Sequence, residues 1–334
     1  MSVRRPTHAG SWYTSNKRQL DSQLSNWLGD VPDSTTPIGT ASSQEGEVSI
    51  PTPGARAIIA PHAGYSYSGP AAAWAYKSVD WANAYVWQSN ERIFLLGPSH
   101  HHYLKGAATT SFDYYGTPLG NLPIDKDLVE TLAAQADMGY MSASVDEAEH
   151  SLEMHLPYIY KMLSMHFAPT HLPPLVPIMV GSTSPTCERR LGRLLAPYLS
   201  NPLNIFILSS DFCHWGDRFR YTYYAPLNGS RKHLRSDRDV SDRPIHESIA
   251  AVDKESMDAV ESGSHETFLK QLAETGNTVC GRHPIGVFMA AVEKAELDRE
   301  GGKGRFKFVR YERSSLVEEV GDSSVSYCSA FAVL

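Results

Sequence analysis

Short apolar runs of strand length recur along this chain, each closed by turn residues and set apart from the next by a stretch of helical spacing. The runs are Arg56–Ala60, Arg92–Leu96, Leu175–Val180, Asn204–Leu208 and Phe306–Tyr311, and they predict buried strands. Helical spacing falls at Arg18–Leu28, Pro70–Val79, Lys126–Ala136, Pro157–His166, Cys187–Leu199, Glu266–Ala273 and Pro284–Leu297. A chain that alternates in this way buries its apolar faces by forming a sheet with helices on both sides. An α/β fold is therefore expected. Residues 32–53, rich in Pro, Ser, Thr and Gly, read as a mobile surface insertion, and residues 228–243, alternating basic and acidic side chains, read as a second solvated excursion. Neither divides the pattern into self-sufficient halves, so a single domain over residues 1–334 is expected.

At 42% hydrophobic and 20% charged residues the chain can bury an ordinary core, and its net charge of -7 supplies no basic field. Nucleic acid and anionic membrane are thus not expected as main partners. The basic amino terminus leads into no apolar run, and no segment reaches the roughly 18 consecutive apolar residues of a membrane span. The expected compartment is the cytoplasm, with the nucleus as a second. Cys187, Cys213, Cys280 and Cys328 include no Cys-x-x-Cys pair, which argues against a disulfide framework and a four-sulfur zinc site.

In open α/β sheets ligands bind beyond the carboxyl ends of the strands, and strand exits in this chain carry histidine. They read Ala60-Pro61-His62-Ala63-Gly64-Tyr65, Gly97-Pro98-Ser99-His100-His101-His102 and Ser209-Ser210-Asp211-Phe212-Cys213-His214-Trp215. A lone histidine after a strand is more often structural, but several at equivalent positions favour a metal with open coordination positions. His100 is preferred within its triple because it follows the turn directly; His101 and His102 are left as solvated or supporting groups. Cys280 precedes Arg282, His283 and Pro284, where a helix is expected to begin. A thiol so placed would favour its thiolate, the form that binds metal, although a free cysteine is commonly a small buried apolar residue.

The same blocks resemble those of the MEMO family, named for mediator of ErbB2-driven cell motility. The resemblance is carried by His8-Ala9-Gly10-Ser11-Trp12-Tyr13, the strand exits at His62, His100 and His214, Glu149-His150-Ser151-Leu152-Glu153-Met154-His155-Leu156-Pro157-Tyr158, Cys280-Gly281-Arg282-His283-Pro284 and Asp322-Ser323-Ser324-Val325-Ser326-Tyr327. It implies a three-layer α/β/α sandwich with a central mixed sheet, similar to class III extradiol dioxygenases, with a fungal member as the nearest guess. Those enzymes hold Fe(II) with two histidines and a carboxylate. Carried over, the ligands of one ion per chain fall on His62, His100 and Cys280, with cysteine in the carboxylate's place. Thiolate softens such a site toward copper, Cu(I) above all, with iron as the alternative, so ring cleavage is not expected. His214, Asp211 and Cys280 take the catalytic roles, with Asp211 fixing the His214 tautomer. Glu153, His155, His150, Trp12 and Arg282 are candidates for the pocket wall. The resemblance further implies copper-dependent redox chemistry and a role in motility, invasive growth and cytoskeletal signalling through phosphotyrosine peptides.

Two other readings stay open on the residues. One is a non-catalytic phosphopeptide adaptor that uses an inherited pocket. The other is a metal hydrolase with Glu153 or Asp211 as general base. The segment at Glu149–Tyr158 also has a structural reading, because Ser151, Glu153 and Pro157 suit a helix start, and Trp12 and Tyr13 suit a core as well as a vestibule. Oligomeric state is not legible.

Overall fold

In the computed structural model, which describes residues 1–81, 92–296 and 302–334, four of the five apolar runs lie side by side at the centre of one large sheet, with the fifth, Phe306–Tyr311, in an edge strand. Its strands are β1 (Ala55–Ala60), β2 (Ile93–Pro98), β3 (Ala107–Thr109), β4 (Leu175–Val180), β5 (Ile205–Ser209), β6 (Asp211–Trp215), β7 (Phe306–Arg313) and β8 (Ser324–Val333). The order is β6-β8-β1-β5-β2-β4-β3, with β7 along the other edge of β8. Strands β1, β5, β2 and β4 are parallel, whereas β8 runs antiparallel to β1, β6 and β7, and β3 antiparallel to β4. The sheet is therefore mixed, and its four parallel strands end on the same side.

The helices that bear on the site are α1 (Lys17–Asp30), α2 (Tyr65–Ser78), α3 (Lys126–Ala133), α4 (Ala143–Ala148), α5 (His150–Glu153), α6 (Leu156–Ser164), α7 (Pro185–Leu199), α8 (Ile245–Glu261), α9 (His265–Thr275) and α10 (Arg282–Ala295). Their faces follow from the pleat. Ala57, Phe206 and Phe94 are register partners and share one face; Phe206 meets Phe288 of α10 at 5.7 Å and Phe94 meets Tyr198 of α7 at 5.2 Å. Ala330 pairs with Ile59 on that same face, so Ser329 points the other way, and its hydroxyl donates to the Ala71 carbonyl of α2. Helices thus cover both faces, giving an α/β/α sandwich. Local sequence explains the elements: Leu20, Leu24 and Leu28 form the buried stripe of α1 behind an Asn16 cap, and Ser184 caps α7 just before Pro185.

Several elements depart from the sequence reading. Helix α2 begins at Tyr65, five residues before the expected Pro70, because the buried Tyr65 ring is wedged among Tyr13, Trp27 and Tyr158. Helix α10 starts at Arg282, and Leu297, its expected end, lies outside the described residues. Strands β6 and β8 and helix α8 were not foreseen. Residues 32–53 are fastened along β7 and α8 by Ile38 N–H to Phe308 O (2.7 Å), Thr40 N–H to Asp258 (2.8 Å) and Ser42 Oγ to Glu261 (2.9 Å). Residues 228–243 contribute the buried Leu234 to a small second core with Trp215, Tyr224 and Ile249. Among the described residues no helix is long and apolar enough to cross a membrane.

Candidate metal centre

Three side chains meet beyond the carboxyl ends of the parallel strands, at one end of a cavity of about 620 Å³. His62 follows β1, His100 lies just past β2, and His150 opens α5. One ring nitrogen from each falls within 4.8 Å of the others. The third ring arrives because α5 packs directly on the end of β2. Gly97 permits this: a Cβ there would stand 2.7 Å from Ser151 Oγ and 2.9 Å from Leu152 Cδ2, and Ser151 Oγ–H donates to the Pro98 carbonyl at 2.7 Å.

Two of the rings are held in one tautomer. Ser209 Oγ–H donates to the Ser151 carbonyl (2.7 Å), so the same oxygen accepts from His62 Nδ1–H at 2.6 Å. Glu149 accepts from His100 Nδ1–H at 2.9 Å and from its backbone N–H at 2.7 Å. Each arrangement leaves the lone pair on Nε2, which is how metal-binding histidines are commonly oriented. Burial and the neighbouring imidazoles push His62 well below its usual range, and burial and His100 bring His150 down to about 3. Both rings are therefore neutral donors near pH 7. Burial would raise the Glu149 carboxyl, but hydrogen bonds from His100 and Ser151 hold it down at about 2. His150 Nδ1 is covered and has no hydrogen-bond partner, which costs about 1–3 kcal/mol unless a ligand satisfies it.

Cys280 approaches the cluster through His62, with Sγ 3.2 Å from Nε2. Its environment differs from the expected one. Burial and the Asp211 carboxylate push the thiol well above its usual range, against backbone N–H donors from Asp211 and Gly281. The helix terminus beside it is outweighed, so without metal the group is a thiol. Asp211 also departs from its expected role. Its Oδ1 accepts the His62 backbone N–H at 2.8 Å, while His214 Nδ1 lies 2.9 Å from the Phe212 carbonyl. Asp211 therefore ties down the His62 loop, and a backbone carbonyl fixes His214 with Nε2 as its lone-pair nitrogen.

The remaining candidates divide. Trp12 lines the cavity and packs on His150 with ring centroids 4.4 Å apart. Glu153 is buried behind it, accepting from Arg4 (2.8 Å), His8 and Tyr13 (both 2.9 Å), so it is spoken for and offers no general base. His155 is buried against Tyr76, with Nδ1 2.7 Å from the phenol oxygen. Arg282 lines a different cavity of about 630 Å³, with His283, Glu188, Arg189 and Lys270. Groups not singled out from sequence include Ser209, which orients His62, and the mouth formed by Tyr67, Arg218, Phe219, Ser314, Ser315 and Ser323. Glu149 enters the sequence reading only as the first residue of the block around His150. Its position at an N-cap, where its side chain accepts from Ser151 N–H, is a signal that local helix chemistry disguises.

The donor set fits a transition metal: clustered imidazoles, a neighbouring thiol, outer groups that fix two rings, and an orphan ring nitrogen. Comparison with known proteins gives the lineage. The family model described as Memo-like protein matches residues 4–331. The chain belongs to the Memo-like family. It is similar to Protein MEMO1 of Homo sapiens, 41% identical over 326 residues covering 98% of this chain and 96% of that one. It is also similar to Protein MEMO1 of Danio rerio, 41% identical over 334 residues, covering 100% of this chain and 98% of that one. Protein memo-1 homolog of Caenorhabditis elegans is 40% identical over 329 residues, covering 98% of this chain and 81% of that one. Among solved structures, uncharacterized protein JW3007 from Escherichia coli K12 matches with a TM-score of 0.40 and 15% identity, over 82% of this chain and 99% of that one. Family membership accounts for the order of the motif blocks along the whole chain, from the strand exits to the Cys280 turn.

Proposed function

We propose that this Memo-like protein is a metal-binding redox protein in which His62, His100 and Cys280 hold one copper or iron ion. The observation that carries the reading is the pair of oriented rings, His62 and His100, which line one cavity with Nε2 left as the lone-pair nitrogen, and the Cys280 thiol in contact with the first. A bound copper or iron ion supplies one-electron chemistry and an open coordination position, with thiolate favouring Cu(I). The chain's own residues do the rest. Ser209 and Glu149 hold the donors, Asp211 anchors the loop that carries His62, and Trp12 packs against His150 at the cavity wall. His214 Nε2 is free to take or return a proton on a ligand in the cavity.

The biological setting proposed is cell motility, invasive growth and cytoskeletal signalling, in the cytoplasm with the nucleus as a second compartment. A second reading, a phosphopeptide adaptor, is favoured by Arg218 and the serine hydroxyls at the cavity mouth. Anaerobic Cu(I) titration of the metal-free protein under a competing chelator tests both. Wild type is expected to take up one equivalent, and His62→Ala, His100→Ala and Cys280→Ala each to lose about tenfold or more in affinity. Equal uptake by all four proteins would refute the centre. A stoichiometric phosphotyrosine-peptide complex that survives chelation and Cys280→Ala would favour the adaptor.

A pH series adds an independent check. Because burial and Asp211 raise the Cys280 thiol, metal uptake has to displace its proton. Apparent Cu(I) affinity should therefore climb with pH across the neutral range, by up to about tenfold per pH unit. Cys280→Ala should flatten that slope; an identical slope in wild type and variant would remove the thiol from the donor set.

A further inference from the structure

His150 has no part in the reading above, yet its placement is that of a ligand. Its ring stacks on His100 with centroids 4.4 Å apart and planes at 17°, and stands edge-on to His62 at 5.5 Å. The residue is 9% exposed, Trp12 packs on it, and Nδ1 has no partner. Among the described residues, the donor atoms of His62, His100 and His150 all lie within 4.8 Å of one another. Cys280 reaches this group from the His62 side, with Sγ 3.2 Å from Nε2.

We infer that His150 is a third imidazole donor, so that the cavity offers two overlapping donor sets sharing His62 and His100: one completed by Cys280 and one by His150. The inference rests on the metal-binding reading and deepens it. Sulfur suits Cu(I), whereas an all-imidazole set suits borderline divalent ions such as Co(II) and Zn(II). The choice of metal then decides which third ligand is engaged. The construction of the site supports this. Glu149, which fixes His100 through ring and backbone, is the residue before His150, so one turn of chain sets two donors together. Carboxylate Oε1 lies 3.7 Å from His150 Nδ1, beyond hydrogen-bond reach, so that nitrogen stays open to a ligand.

Co(II) is a suitable probe, because a thiolate ligand adds a near-ultraviolet charge-transfer band that imidazole does not. The full chain would be titrated with Co(II) and, in parallel, with Cu(I) under a competing chelator. Wild-type protein should bind one Co(II) with little thiolate band, and Cys280→Ser should bind it nearly as well. His150→Ala should lose about tenfold or more in Co(II) affinity while its Cu(I) affinity stays close to wild type. His150→Gln, which keeps the side chain's bulk, should repeat the loss, and unchanged thermal midpoints would separate ligand loss from unfolding. The inference is overturned if Co(II) affinity is indifferent to both His150 variants, or if Cys280→Ser abolishes Co(II) binding together with a strong thiolate band. Failure of wild type to bind either ion would instead bring down the metal-centre reading on which it stands.

Discussion

Replacing Arg4 with methionine should destabilise the protein by about 3–5 kcal/mol, because it strands buried charge. Arg4 is fully buried. Its guanidinium donates to Asp146 Oδ1 (3.0 Å), to Glu153 Oε2 (2.8 Å) and to the carbonyls of Asp146 and Glu149 (2.9 and 3.0 Å), and it lies 5.3 Å from the centre of the Tyr115 ring. Methionine fills similar space but leaves two buried carboxylates without their cation, and burial already pushes Asp146 upward. At about 2 °C per kcal/mol for a chain of this size, the thermal midpoint should fall by about 6–10 °C. Arg4→Met combined with Glu153→Gln should recover about 1 kcal/mol or more, since one stranded charge is then gone. A loss below about 1 kcal/mol for the single variant would mean that the two carboxylates do not depend on Arg4. The consequence extends to the site: Arg4 holds the Glu149 carbonyl, and the Glu149 side chain holds His100.

That keystone could not be read from the sequence, where Arg4 looks like one of two basic residues at a solvated amino terminus. Burial of a charge depends on partners more than a hundred residues away, and periodicity says nothing about them. The central strands were legible for the opposite reason. Ile58, Leu95, Ile178 and Ile207 lie in continuous apolar runs because parallel strands are covered on both faces. Strand β8 escaped notice since it alternates serine with apolar residues, although both faces are buried. Two of its serines are satisfied internally, Ser329 by Ala71 O and Ser326 by Tyr311, while the buried Ser324 hydroxyl has no hydrogen-bond partner among the described residues. Where polar groups find partners within the fold, hydropathy alone misjudges burial.

The site was legible in proportion to how far its residues belong to strand exits. His62, His100 and Asp211 occupy positions that the fold class alone makes interesting. His150 and Glu149 sit at a helix start, where acidic and polar residues have an ordinary structural use, so the sequence offers no means to separate capping from ligand support. Glu149 does both. The thiolate argument for Cys280 failed on burial, a quantity absent from any one-dimensional reading.

The close approach between the Cys280 turn and the β5 exit yields the second large effect. Gly281 has ordinary helical-region φ, so its need for glycine is one of space. A Cβ there would stand 2.3 Å from Ser210 Cβ, 2.4 Å from Ser209 O and 2.6 Å from Ser210 Oγ. Backbone atoms cannot swing aside as a side-chain end can, so Gly281→Ala must part the Cys280 turn from residues 209–211. Overpacking of this kind costs about 1–3 kcal/mol. The functional cost should be larger in proportion. Ser209 orients His62, and Asp211 N–H meets Cys280 Sγ at 3.1 Å; a displacement of about 1 Å in such a constellation can cost on the order of a hundredfold. Cu(I) affinity should therefore drop by about that factor while the protein remains folded. Gly29→Ala supplies the control, since a Cβ at that helical position meets nothing within 4 Å and alanine there should be neutral or stabilising by about 0.5–1 kcal/mol. If Gly281→Ala matched Gly29→Ala in both affinity and midpoint, the contact between turn and strand would not be what sets the geometry of the donors.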